Sequence, residues 1–590
     1  MLLLAGCARY QATPLAESAY APSGDCSKCH AEIADRYRHV AMARSLYRPT
    51  PGNIIEDYRR NNHFYHAASG SHYRMVERRD RFYQQRFQLD ERGREINLLE
   101  VEITYIIGSG NHARSYLHLS ATGEATQLPV TWYSQENRWG MSPGYDRPRH
   151  LDFGRQIDYA CMFCHNAIPK LAAGADRYGA VPRFAQELPV GIDCQRCHGP
   201  GARHVQLASS GRARAEEIRR AIVQPARLKP ELQMNVCEQC HLETTSARLP
   251  QAVARFNRPA YSFRAGQPLG DYLIHFDHPP GDRDDKFEIV SAAYRLRKSR
   301  CYQKSAGRLT CIACHDPHRT PIGPAAVAQF RTACRVCHSQ VAGPHPDLAT
   351  SDCAGCHMPK RRTEDVVHVA VTDHLIQRRK PGRDLLAPLQ ETEPEYHGDI
   401  ALYDPPHLPQ PDRDLYLGIA LVKDGADRPR GIALLENALA GKTGPVEAYI
   451  ELAVAYASLQ NPRAAAGNYR KALELDPKLT MVRYDLGRAL ASLGDTRAAR
   501  DQYQQVIQED PDIAEAHNNL ATLLVEAGEF SKAAEEYQNA IRARPIYAEA
   551  HNNLGHLYLE QGRLQDAQTE VEEALRSDPA FQKLCQEKQP

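Results

Sequence analysis

At 590 residues the chain is long enough for two or more domains. Its 73 Lys and Arg nearly balance its 72 Asp and Glu, so the formal charge is +1 and nothing in it favours a nucleic-acid partner. Mean hydropathy is −0.56, and no apolar run approaches the roughly 20 residues of a membrane-spanning helix.

The chain opens Met1-Leu2-Leu3-Leu4-Ala5-Gly6-Cys7. Leu4 to Cys7 resembles the lipobox of bacterial lipoproteins, which implies a lipidated Cys7, export, and a polar tether within residues 1–24. The stretch is short for a complete leader and lacks a basic start. A translation start placed too far downstream would explain both.

Residues 25–390 are organised around one motif, Cys-x-x-Cys-His. It occurs at Cys26/Cys29/His30, Cys161/Cys164/His165, Cys194/Cys197/His198, Cys237/Cys240/His241, Cys311/Cys314/His315, Cys334/Cys337/His338 and Cys353/Cys356/His357, and takes up 14 of the 17 cysteines. The spacing is the attachment signature of a c-type haem. Two thiols on one helical turn add to the two porphyrin vinyl groups, and the adjacent His becomes the proximal iron ligand. A zinc ribbon also uses Cys pairs, but zinc chemistry does not call for a His after every second Cys. Seven covalent haems are therefore expected, filling the interior of the region. The Arg-rich first two-thirds of the chain is expected to pair partly with their propionates. A haem-dense interior also needs few large side chains, consistent with only 7% aromatic residues.

Further His residues follow the motifs. His39 ends a short helical pattern over Glu32 to Met42, and Met42 is a weaker candidate ligand. Residues 43–160 contain no motif. There Arg81 to Leu89 alternates, Asp90 to Arg94 reads as a turn, and Glu95 to Ile107 alternates again, which predicts a hairpin in a small β-element. Gly108-Ser109-Gly110-Asn111-His112 follows, where glycine permits close backbone approach and His112 would face a haem. Trp132, Tyr133 and Trp139 pack either on haem edges or in an ordinary core. Gly199-Pro200-Gly201 turns the chain so that His204 comes back towards a haem. His275 and His278 lie in a Pro- and Asp-rich stretch, His318 follows His315 on a tight turn, and His368 and His374 lie in an extended run.

The segments Ile107 to His112, Pro129 to Tyr133, Cys197 to Gly201 and Leu309 to His318 resemble those of multihaem cytochromes c of the cytochrome c554/octahaem reductase type, in the branch with C-terminal tetratricopeptide repeats. The resemblance covers most of residues 25–380. It implies stacked haem pairs with two His ligands on most irons. Distal roles then pass to His39, His112, His204, His318, His368 and His374, with His275 or His278 as the seventh. The chain has seven motifs rather than eight and no Cys-x-x-Cys-Lys, which weakens any transfer of a lysine-ligated reducing site.

Residues 391–411 read as a linker. Beyond them Pro477, Pro511, Pro545 and Pro579 recur every 34 residues, as do Gly494, Gly528 and Gly562. Small residues at Gly487, Ala521 and Gly555, and Ala499, Ala533 and Ala567, complete the tetratricopeptide pattern, and a degenerate unit precedes it near 412. His517 and His551 share one repeat position and read as packing residues. Cys301 and Cys585 read as free thiols, with Cys301 near enough to Cys311 to touch a haem.

The expected fold is mainly α: a haem-packed domain over 25–390 with a small β-element, then an all-α solenoid over 412–582. The expected function is electron relay along seven haems, in the periplasm or at the cell surface, with the repeats docking a redox protein or a second copy. The alternative is a reductase or oxidoreductase acting on a small nitrogen or sulfur compound at one haem with an open site. Growth into a filament is a third outcome. Fourteen His outside the motifs in 25–390 are twice the number needed to saturate seven irons, which favours relay. No residue stands out as a catalytic acid or base.

Overall fold

A computed structural model describes residues 19–171, 174–245, 250–340, 350–392, 396, 398–403, 408–423, 425 and 427–581. Cys7 and Cys585 lie outside the described residues.

Residues 46–156 form two antiparallel sheets. One is four-stranded, in the order His63–His66, Ser71–Arg78, Arg81–Leu89, Glu95–Ile103. Arg79 and Asp80 both take positive φ, 52° and 62°, in the two-residue turn that joins its middle strands. The expected hairpin pairs Leu89 with Glu95 and Phe82 with Ile103. It stops there, because Tyr105–Ile107 crosses into the second, seven-stranded sheet. The β-structure is thus considerably larger than the small element expected. Val130–Tyr133 buries all four side chains and so shows no alternation, and several other strands have only two to four residues, too short to carry a period.

An aromatic core lies between the sheets. Trp132 and Trp139 meet edge to face at 5.0 Å, and Trp139 also packs against Tyr58 and Tyr116. Both Trp residues are therefore core residues of the β-structure. Beneath them Arg114 Nη1 lies 3.2 Å from Glu56 Oε2, and Tyr116 donates to Glu56 Oε1 at 2.6 Å, so the buried charge is paired and hydrogen-bonded. The glycines of 108–112 approach their own chain. Gly108 has φ +103°, and a Cβ there would sit 2.7 Å from Ala113 O.

The motif-bearing stretch from 159 to 377 is built of short helices and irregular chain. Its apolar clusters are small: Met234, Leu242, Ala293, Tyr294 and Leu296 in one, Phe263, Leu269 and Tyr272 in another. The helices Asp25–Cys29, Ala31–Tyr37, Arg300–Lys304, Gly323–Arg335 and Cys353–His357 contain no buried residue at all. Within the expected linker, Ala401–Tyr403 is a strand paired with Leu273–Asp277, so the connection is laid against the motif region.

From Gln410 to Ser577 the chain forms five antiparallel helix pairs. The first, Gln410–Lys423 with Arg428–Leu439, is the degenerate unit. Its helices cross so closely that a Cβ on Gly431 would lie 2.9 Å from Gly418 O. In the regular units the small residues serve the same end: a Cβ on Gly487 would lie 2.7 Å from the Tyr503 ring. Gly494, Gly528 and Gly562 turn between paired helices at φ of 77°, 75° and 73°, where other side chains would be strained. His517 and His551 are buried, with Nδ1 on Glu536 and Glu570 and Nε2 on the carbonyls of Pro511 and Pro545. They tie one unit to the next, and both ring nitrogens are engaged.

Candidate cofactor-attachment sites

Each motif lies at a chain turn that gathers its thiols and its imidazole. His30, His315 and His338 donate their backbone N–H to the carbonyl of the first Cys of their own motif, each at 3.0 Å. An Asp just before the motif starts the turn in three cases: Asp158 accepts from Cys161 N, Asp193 from Gln195 N and Arg196 N, and Asp352 from Gly355 N. All fifteen described cysteines are free thiols. Burial pushes Cys197 and Cys334 up to about 11, so these remain protonated at neutral pH. Cys26 is instead lowered to about 7 by its hydrogen bond with Cys194. Among the described residues no three His, Cys, Asp or Glu side chains are placed to hold a bare metal ion.

The last two motifs are open to solvent in the polypeptide. Cys337 and Cys356, their second cysteines, are exposed, as are Cys29 and Cys161. The physical reason is a lack of cover. Cys337 N and Cys356 N close local turns on Cys334 O and Asp352 O, each at 3.3 Å. The helices Gly323–Arg335 and Cys353–His357 bury nothing, and among the described residues no apolar cluster includes a side chain from 323–357.

The motifs are close neighbours, but not in chain order. Cys26 lies against Cys194, Cys164 against Cys240, Cys237 against Cys311, and Cys334 against Cys353. Cys197 also feels Cys240, and Cys334 feels Cys314. The first, third, fourth, fifth, sixth and seventh motifs thus form one run, with the second set beside the fourth. Cys301 sits near Cys334.

Three motif imidazoles face a second imidazole. Ring centroids are 6.3 Å apart for His30 and His204, 6.0 Å for His198 and His318, and 6.1 Å for His315 and His374. Two imidazoles on opposite faces of one iron, each bonded at about 2 Å, would have centroids roughly 6 Å apart. In four of these six imidazoles Nδ1 has a partner on the chain. Nδ1 of His198 donates to Val223 O at 2.9 Å, that of His204 to Ile218 O at 2.8 Å, and that of His374 to Thr372 O at 3.1 Å. His318 Nδ1 lies 3.3 Å from Asp316, and His357 Nδ1 donates to Gln377 O at 2.6 Å. A proton on Nδ1 leaves the Nε2 lone pair free to bind a metal. The residues present therefore fit haem at these sites.

The other expected distal residues are placed differently. His39 is exposed and its Nε2 accepts from Arg38 at 3.2 Å. His368 stands edge-on to Tyr133 at 4.7 Å, beside Arg138 and Glu136. His112 has a buried Nδ1 with no partner and is near Lys360, just past the seventh motif. His275 is buried in its strand, and burial pushes it down to about 4, so it is a neutral imidazole. His278 needs correction as a candidate. Lys286 Nζ lies 2.9 Å from its Nδ1 and is itself paired with Asp277. The ammonium can only donate, so Nδ1 accepts, the ring proton is on Nε2, and no lone pair is left for iron.

Three of the arginines of the first two-thirds are engaged by the chain itself. Arg295 forks onto Asp373 at 2.9 and 2.6 Å, Arg86 pairs with Asp152, and Arg196 lies over the Phe163 ring at 4.0 Å. Sequence reasoning missed a buried acidic group, Glu243, Glu288 and Asp365. Burial raises all three, and neighbouring carboxylates push Glu243 and Glu288 further, Glu288 to about 10. Their spacing along the chain carries no signal of this.

Tetratricopeptide-repeat family models match residues 446–479, 490–538 and 518–580. The C-terminal region is a tetratricopeptide-repeat solenoid. Among solved structures the chain is similar to two described as "Crystal structure of MamA" and "Crystal structure of MamA protein". The first is 23% identical, covers 30% of this chain and 99% of that one, and has a TM-score of 0.27. The second is 24% identical over 29% and 94%, with a TM-score of 0.27. No curated protein matches the chain.

Proposed function

We propose that residues 25–390 carry seven covalently attached haems and that the chain relays electrons among them. The observation that supports this most is the three imidazole pairs, with centroids spaced for one iron each and Nδ1 engaged on His198, His204, His318 and His374. Haem c, when bound, supplies one-electron redox chemistry. The chain's own residues do the rest. Paired thiols anchor each group, His30, His198 and His315 with His204, His318 and His374 saturate their sites, and the run of neighbouring motifs keeps successive sites close. The exposed thiols Cys337 and Cys356 put the sixth and seventh sites where a redox partner can reach them. Saturated sites favour transfer over substrate chemistry. Export, lipidation at Cys7 and docking of a redox partner belong to the same reading. The test is the intact mass of the matured protein, which should exceed that of the polypeptide by seven haems. Bare thiols or bound zinc would end the proposal.

A second reading, catalysis at one open site, is favoured by His165. It is half-buried, burial pushes it down to about 4, its buried Nδ1 has no partner, and among the described residues no second imidazole is in ring contact with it. A high-spin signal assigned to this site in the oxidised protein would support that reading.

A further inference from the structure

The residue before each helix-ending Pro occupies one repeat position: Asp476, Asp510, Arg544 and Asp578. The first three face the N-terminal region, and their charges match it in order. Arg177 Nη1 lies 3.6 Å from Asp476 and 3.5 Å from Lys478 O. Arg183 lies 3.0 Å from Asp510. Where the row changes sign, Arg544 lies 4.0 Å from Glu124 and 2.7 Å from Glu515 of its own solenoid. Between the two arginines Tyr178 donates to Glu451, and Gly179, at φ +74°, packs its Cα side towards Val482 and Ile450. The segment ends on the second motif. Tyr159, which opens the helix carrying Cys161, donates its hydroxyl to Arg183 O at 2.8 Å and accepts from Arg183 N at 3.0 Å.

We infer that the repeats recognise the chain's own segment 177–183, in a register set by Asp476 against Arg177 and Asp510 against Arg183, and thereby position the second motif. The argument stands apart from the haem reading, since it uses only side chains of the two regions. It assigns the occupant of this edge of the solenoid: a basic stretch with a Tyr beside its first Arg, supplied in cis. Any protein that takes this edge must displace 177–183 and loosen the contact between Arg183 and Tyr159.

The test uses the full, matured chain and hydrogen exchange read by mass spectrometry. Arg177→Glu with Arg183→Glu changes only the loop side, so the repeats stay folded. Exchange over 174–184 should rise about tenfold, the scale set by losing two half-exposed ion pairs. Adding Asp476→Arg and Asp510→Arg should restore protection. Asp476→Asn with Asp510→Asn, which keeps the turn acceptors for Lys478 N and Asp512 N, should give an intermediate rise. Unchanged exchange in the loop variant overturns the inference, as does failure of the swap to restore protection while repeat helicity is intact. Protection that falls on dilution of the native chain would assign the occupant to a second copy and overturn the cis assignment.

Discussion

The repeat solenoid and the motif region solve the same problem, covering apolar surface, in opposite ways. Every helix of the solenoid buries its own side chains, from Ala567 and Ala574 in the last helix to eight residues in Ala514–Glu526. Among the described residues the motif region has seven α-helices that bury nothing and apolar clusters of a few residues each. A protein interior normally reaches close packing with side chains alone. On the proposed reading the motif region is completed by attached haem, whereas the solenoid is closed by its own side chains.

The largest effect should come from withholding that material. Produced without haem attachment, the full chain is expected to keep amide protection across 446–577 and lose it across 194–357, read by hydrogen exchange. Equal protection in both regions of the cofactor-free chain would erase the comparison. Within the solenoid, Tyr503→Ala removes the ring that packs on Gly487 and should destabilise the repeats by about 3 kcal/mol in denaturant unfolding. Loss of less than a third of that would mean the units are not held by this contact. In the motif region, His204→Ala should convert the site of His30 from low to high spin in paramagnetic resonance spectra while leaving the sites of His198 and His315 unchanged. A low-spin spectrum identical to wild type would break the pairing. The smallest effect concerns the half-buried pair of Glu536 and His517. The imidazole bonded to Glu536 holds its carboxyl below the usual range, so its contribution is present above the unfolded carboxylate pKa and is lost as pH falls through the lower folded value. Glu536→Gln should therefore weaken the repeats by no more than about 1 kcal/mol at pH 7, with the difference fading below about pH 4.

The solenoid and the attachment motifs could be read from the chain because both rest on local spacing. A 34-residue period and a Cys-x-x-Cys-His run each place their partners within one turn or one helix pair. The exposure of Cys337 and Cys356 could not, because spacing alone says nothing of what packs over a turn. The β-structure was under-read because its strands are short and one buries both faces. The opposing imidazoles were named in part, since His204, His318 and His374 do face motif residues. Which one faces which depends on contacts between distant segments, and no periodicity encodes those. His278 misled because its environment matters more than its position: Lys286, eight residues on and buried beside it, decides where its proton sits. The thiol neighbours, Cys26 with Cys194 and Cys164 with Cys240, likewise skip over motifs that are adjacent in the chain.

The facing of His30 by His204 also sets a timetable. The first motif is synthesised early, yet the imidazole opposite it arrives only after two more motifs have passed, and His198 in turn waits for His318 beyond the fifth. Each early site therefore spends part of its biogenesis with one face uncovered, and a chain cut short after residue 190 would leave its first site permanently half-dressed.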